Sequence, residues 1–158
     1  MRKKEGNKQE AILEAAIVVF AEQGFHKAKI SRIADEAEVA VGSVYLYFKN
    51  KEEILLNIFD NIWKRLYEEI DELSVNKKLN PDKIIIKLMD LFFDILSDDP
   101  AKTLVFINEQ NHLLQNNRHK FTSYYEKFWS KAEKIFNAGK KQNLFNKDLN
   151  YLVFRYYI

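Results

Sequence analysis

An all-α fold is what this sequence predicts: a three-helix head of helix-turn-helix type, joined by a long helix to a second, larger helical domain. Three observations carry that expectation. Glycine and proline number only four and two in 158 residues, while strong helix formers are plentiful. Apolar residues recur at the 3.6 period in one stretch after another. Both prolines, and two of the glycines, stand where helices would begin and end.

The first helix is predicted over Lys8–Gln23, with Ile12, Ala15, Ala16, Val19 and Phe20 on one face. Gly24 occupies the left-handed stop position, and Phe25 is the apolar residue expected to fold back on the last turn. The stretch SRIADEAEV follows a short linker, with Ser31 as the expected N-cap and Ile33, Ala34 and Ala37 as a buried stripe. A second short helix, Val41–Phe48, comes after almost no linker. Two short helices and a tight turn, backed by a longer helix, make a helix-turn-helix pattern. Asn50 opens N-K-E-E, a capping-box start with Glu53 at N3 for a helix of about six turns to Leu73. Three further helices are expected over Pro81–Leu96, Ala101–Leu114 and His119–Gly139, with Gly139 as a C-terminal stop. The head then spans residues 1–50 and the second domain 51–158.

Charge alone decides little, because a net +2 is too small to argue for a nucleic-acid partner. Placement says more. Lys27, Lys29 and Arg32 flank the first short helix, Lys49 and Lys51 follow the second, and Arg2, Lys3, Lys4 and Lys8 form a basic N-terminal arm. Phosphate neutralisation needs cations at the rim of a docking face, not a basic domain. On the second short helix, Val44 and Phe48 lie about 40° apart and share the inward face. Gly42, Ser43, Leu46 and Tyr47 fall opposite, with Tyr45 at the flank. A hydroxyl, a phenol, an exposed leucine and a bare glycine backbone suit a major groove: hydroxyls bond phosphates or base edges, and apolar atoms meet thymine methyls.

The segment AILEAAIVVFAEQGFHKAKISRIADEAEVAVGSVYLYFKNKEEIL resembles the DNA-binding domain of TetR-family transcriptional regulators, from about Lys8 to Phe59. The resemblance implies a homodimer that binds double-stranded operator DNA through such heads and carries a C-terminal effector and dimerisation domain. Position by position, it implies DNA contacts at Ser31, Gly42, Ser43, Tyr45, Tyr47 and Lys51, with variable readout at Val41 and Leu46. Phosphate contacts would fall to Ser31, Tyr47 and Lys51, and base readout to Val41, Ser43, Tyr45 and Leu46. Glu38 departs from the family's turn glycine, which costs on the order of 1 kcal/mol if the residue is left-handed. The family also runs longer, so LNYLVFRYYI is expected to begin an incomplete dimerisation helix, Leu149–Ile158, with a sticky face.

The second domain is strongly aromatic, and a helical bundle with that many rings can enclose an apolar ligand pocket. Met89, Phe92, Phe93, Phe106, Gln110, Tyr125, Phe128 and Trp129 are the candidate lining, with Lys102 or Arg118 as partners for a ligand's phosphates. The head most resembles FadR-type, fatty-acid-responsive repressors of bacilli, which implies an acyl-CoA or another long apolar effector. Two other readings stand beside this one. A helical protein–protein adaptor would use the aromatic half for a partner helix. A metal-binding bundle would use Glu109 and His112, but a di-iron site needs that E-x-x-H twice. No nucleotide-binding loop, zinc-protease motif or nucleophile elbow occurs, so neither catalysis nor a cofactor is expected. Cysteine is absent, which fits a reducing cytoplasm, and no apolar run approaches the roughly 18 residues of a membrane span.

Overall fold

The computed structural model describes residues 5–76, 78–116 and 124–157, the side chains at 5–7, 111–112, 114–116 and 156–157 excepted. The described residues form eight helices and no strand: α1 (Glu5–Gln23), α2 (Ile30–Glu36), α3 (Val41–Tyr47), α4 (Lys51–Val75), α5 (Pro81–Ser97), α6 (Pro100–Asn116), α7 (Tyr124–Lys141) and α8 (Tyr151–Tyr157). Pro81 and Pro100 are the first residues of their helices, where a missing N–H leaves no intrahelical bond unmade. Asp99 caps α6, its Oδ1 accepting from the Lys102 N–H at 3.1 Å. At the start of α4, Asn50 Oδ1 accepts from the Glu53 N–H at 2.9 Å while Glu53 Oε2 accepts from the Lys49 N–H at 2.6 Å. This is a capping box displaced by one residue on its return arm.

Two of the expected helix ends differ. Ser31 is not an N-cap: α2 starts two residues earlier than such a cap implies, Lys29 is the cap residue, and the Lys29 carbonyl takes the N–H groups of Arg32 and Ile33. Gly139 is not a stop. It is buried inside α7, and a Cβ there would lie 2.1 Å from Phe145 Cε2. The left-handed residue is Asn143 (φ 57°), whose N–H bonds the Lys140 carbonyl while the Leu144 N–H bonds Gly139. That pair of bonds is a Schellman end, so asparagine does here what the glycine was expected to do.

The chain divides into two compact units. The first comprises Met1–Asn61 and Leu96–Phe121, and the second Ile62–Ile95 and Thr122–Ile158. Helix α4 contributes residues to both units. In the first unit α1 packs against α2, α3 and α6 over a core that includes Ile12, Phe20, Phe25, Ile33, Val44 and Phe48. Burying each of these large side chains stabilises the head by about 1.5–3 kcal/mol. Phe106 of α6 is buried in the same unit and stacks on Phe59 at 5.1 Å. The second unit is organised around Trp63, Leu88, Phe128, Trp129 and Phe136, all buried. Phe154 of α8 joins it through Phe136, with ring centroids 4.9 Å apart. Leu152 and Val153, on the same short helix, stay exposed, as does Leu149 just before it. Ile158 lies outside the described residues.

Candidate nucleic-acid interface and ligand cavity

The turn between α2 and α3 fixes how α3 is presented. Glu38 takes φ 55°, its N–H bonds the Asp35 carbonyl at 3.1 Å, and the Val39 N–H bonds Ala34 at 3.0 Å. Those two bonds close α2 in a Schellman motif with glutamate at the left-handed position, where glycine would cost less. α3 then runs for seven residues with Val44 fully buried, and Phe48 buried just past its end. Its other side faces out: Leu46 is 82% exposed, Tyr45 55% and Val41 40%, and Gly42 is exposed with open space where a Cβ would stand. Ser43 and Tyr47 are half-buried at the edges of this face. Ser31, released from capping, is exposed on the first turn of α2.

Cations are exposed in the segments before α2 and after α3, and on α2. Lys27, Lys29, Arg32 and Lys49 are exposed. Arg32 pairs with Glu36 at 2.9 Å in an exposed i,i+4 bridge, a contact worth a few tenths of a kcal/mol that a stronger anion can displace. The ammonium of Lys51, expected to contact phosphate, is engaged within the head. It donates to the carbonyls of Phe25, His26 and Ala28 at 2.8, 2.9 and 3.3 Å and sits 4.7 Å from the Phe25 ring centroid. An ammonium has three hydrogens, and all three are engaged. Lys51 thus holds the segment after α1, which leaves its helix at Gly24 (φ 74°). The same segment is held from α6, where the buried Glu109 accepts from the Phe25 N–H at 3.4 Å. In the sequence Glu109 stands out only as half of an E-x-x-H; the His112 side chain lies outside the described residues. No cluster of three metal-ligating side chains occurs among the described residues. The arm residues Arg2, Lys3 and Lys4 also lie outside them.

The second unit contains a cavity of about 200 Å³. Of the candidate lining residues, Met89, Phe92, Phe93, Phe128 and Trp129 stand in its wall, together with Trp63, which the sequence reading did not single out. Phe106 and Gln110 do not, because α6 belongs to the other unit. Tyr125 is beside the lining and not in it: its ring meets Trp63 edge-on at 4.8 Å and carries the Arg155 guanidinium at 5.1 Å. Arg155 also lies 5.4 Å from the Trp129 centroid and pairs with Glu126 at 3.5 Å. Tyr151 donates its hydroxyl to the Trp129 carbonyl at 2.6 Å, and burial pushes its phenol up to about 12, so this contact is neutral at any working pH. Lys102 belongs to the first unit, paired with Asp99 at 3.7 Å, and Arg118 is not among the described residues. No helix is long and apolar enough to cross a membrane among the described residues.

Residues 12–58 match the family described as bacterial regulatory proteins of the tetR family. The chain is 35% identical over 94 residues to the fatty acid metabolism regulator protein of Bacillus subtilis, a match covering 60% of this chain and 48% of that one. It therefore spans about half the length of that relative. It is 30% identical over 141 residues to the HTH-type transcriptional regulator YvdT of the same organism, covering 88% of this chain and 70% of that one. Among solved structures, FadR from Bacillus subtilis in complex with stearoyl-CoA superimposes with a TM-score of 0.75 at 28% identity, covering 91% of this chain and 77% of that one.

Proposed function

This chain is a transcriptional regulator of the tetR family, and we propose that it acts as a repressor that binds operator DNA as a homodimer and leaves it when an apolar effector binds. The observation that carries the DNA half is the exposure of Leu46, Tyr45 and Val41 on a helix whose opposite face is fully buried. Apolar groups are kept in water at a cost, and a groove with thymine methyls and base edges recovers it. In this reading Val41, Ser43, Tyr45 and Leu46 read bases, and Gly42 lets the helix backbone approach closely. Ser31 and Tyr47 bond phosphates, with Lys27, Lys29, Arg32 and Lys49 supplying the charge. Lys51 positions the head through its ammonium and meets phosphate through its backbone N–H at the start of α4.

The effector half rests on the apolar cavity of the second unit and on the stearoyl-CoA carried by the FadR structure. An acyl-CoA or another long apolar effector fits a wall of this composition. Two recognition helices must stand about one DNA turn apart, roughly 34–36 Å, in a dimer. Helix α4 contributes residues to both compact units, so a ligand that tilts it changes that spacing. Release then follows from the ligand's preference for the shape that does not fit DNA. Leu149, Leu152 and Val153 begin the surface that a second copy covers, and the protein works in the cytoplasm. Fluorescence anisotropy against duplexes tiled from its own promoter tests the whole: one duplex binds specifically, steeply salt-dependent, and palmitoyl-CoA weakens it. Equal binding to every duplex, or to none, contradicts the proposal.

A further inference from the structure

Seven residues make up α3, VGSVYLY, and none of them is Arg, Lys, Asn, Gln, Asp or Glu. The side chains that fix a base by aimed hydrogen bonds are therefore missing from this helix: Arg or Lys on guanine, Asn or Gln on adenine, a carboxylate on cytosine. Its cap residues do not supply them, since Ala40 is apolar and Phe48 is buried. Arg32, on α2, is paired with Glu36 at 2.9 Å. What α3 exposes is mainly hydrocarbon, on Leu46, Val41 and Tyr45. Ser43, Tyr45 and Tyr47 add hydroxyls, but a hydroxyl both donates and accepts and so separates bases poorly. Gly42 completes this surface. It lies one turn before Leu46 on the same side of the helix, its φ is not left-handed, and a Cβ there would meet nothing within 4 Å. The fold itself has no use for a glycine at that point, and alanine would favour the helix more. A leucine is shorter than an arginine and meets a base edge only where the backbone comes close, which a missing Cβ one turn away allows.

We infer that thymine methyl groups, met by Leu46 and Val41, carry the sequence preference of this head, so that each half-site sets T·A pairs beneath those two side chains. The inference rests on the reading of α3 as the helix that enters the groove, and it names what that helix reads. The 5-methyl of thymine is the one apolar group on the major-groove edges of the four bases. Against a leucine it leaves water together with the methyls it touches. A cytosine amino group or a purine edge in the same place would lose its water and gain no partner. The exposed Lys27, Lys29, Arg32 and Lys49 add an attraction to phosphates that is blind to sequence.

A duplex selected from a random pool by the full chain is the probe. Each of its thymines is then replaced in turn by deoxyuridine, which pairs identically and lacks only the methyl. At one or two thymines of each half-site, affinity is expected to fall roughly 3- to 10-fold, the loss of one buried methyl group. Leu46→Ala or Val41→Ala should bring the thymine-to-deoxyuridine ratio to about one at the position each side chain covers. Replacing guanines by 7-deazaguanine, which lacks the N7 acceptor, should cost less than the change at those thymines. Indifference to deoxyuridine throughout a duplex that is still bound specifically overturns the assignment and leaves α3 a DNA-reading helix. A ratio that survives both variants overturns it too, as does a larger loss at 7-deazaguanine, which would put the readout on Arg32 or Lys49. If no selected duplex is bound in preference to the starting pool, the reading of α3 falls and the assignment with it. The wild-type ratios decide even if a variant binds too weakly to measure.

Discussion

In α3, Tyr45 and Leu46 are 55% and 82% exposed, whereas Phe128 and Trp129 in α7 are each 8% exposed. The residue types are alike, and the difference lies in what each helix is given to pack against. α7 carries a buried stripe through Phe128, Trp129, Ala132, Ile135, Phe136 and Gly139, long enough to wall a cavity. α3 has seven residues and one fully buried side chain, so Tyr45 and Leu46 on its far side stay exposed. Exposed apolar area costs about 25 cal/mol per Å² relative to burial. The proposed function asks for both surfaces: rings turned outward on α3 to meet DNA and inward on α7 to meet an apolar ligand.

The largest effect expected from disturbing this contrast is at Leu46. Replacing it with glutamate puts a charge of phosphate's sign on the face proposed to enter the groove, and operator affinity should fall more than about 100-fold. The melting temperature should barely move, because the side chain contacts little in the fold. A variant that melts normally and still binds its operator would show that α3 does not face DNA. Two nearby lysines come next. Lys51→Met strands three carbonyls and should destabilise the head by about 1.5–3 kcal/mol in a urea titration. Lys49→Met should leave stability unchanged and reduce the slope of log affinity against log salt by about one.

A pair of glycines sharpens the contrast further. Gly139→Ala drives a methyl into Phe145 and should cost about 1–3 kcal/mol. Gly42→Ala meets nothing within 4 Å, so helix propensity should make it neutral or stabilising by up to about 1 kcal/mol, while operator affinity drops. The smallest effect belongs to Asp60, half-buried on α4, whose carboxyl burial holds above its ordinary value of 3.8. The folded state therefore keeps that proton more tightly than the unfolded chain, and stability falls as pH rises through the range above 3.8. Asp60→Asn should raise the melting temperature at pH 7, with the gain vanishing below the ordinary carboxyl value.

Much of this was legible because it is local. The prolines, Asn50 and Gly24 act on their own neighbours, and the 100° geometry of α3 separates Val44 and Phe48 from Leu46 without any tertiary information. The resemblance to the family placed a left-handed residue at Glu38, and φ 55° is found there. What sequence reading missed depends on partners far along the chain. Glu109 meets Phe25 across 84 residues and Lys51 reaches back 26 and 25 residues to Phe25 and His26, and no periodicity encodes such pairs. Phe106 looks the same as Phe128 in sequence, yet one stacks in the core of the first unit and the other lines the cavity of the second. Gly139 misled because a glycine needed for close packing and one needed for a left-handed turn are the same letter.

In the proposed function α3 reads DNA under control of a ligand in the second unit. This is tested most directly by titrating the full chain onto its own promoter duplex, and onto a scrambled duplex, with and without palmitoyl-CoA. Without ligand, at least about a 1,000-fold preference for the promoter duplex is expected, with loss of most of that affinity when ligand is added. Equal affinity for the two duplexes, or a promoter complex indifferent to every apolar ligand that binds the protein, would contradict that function.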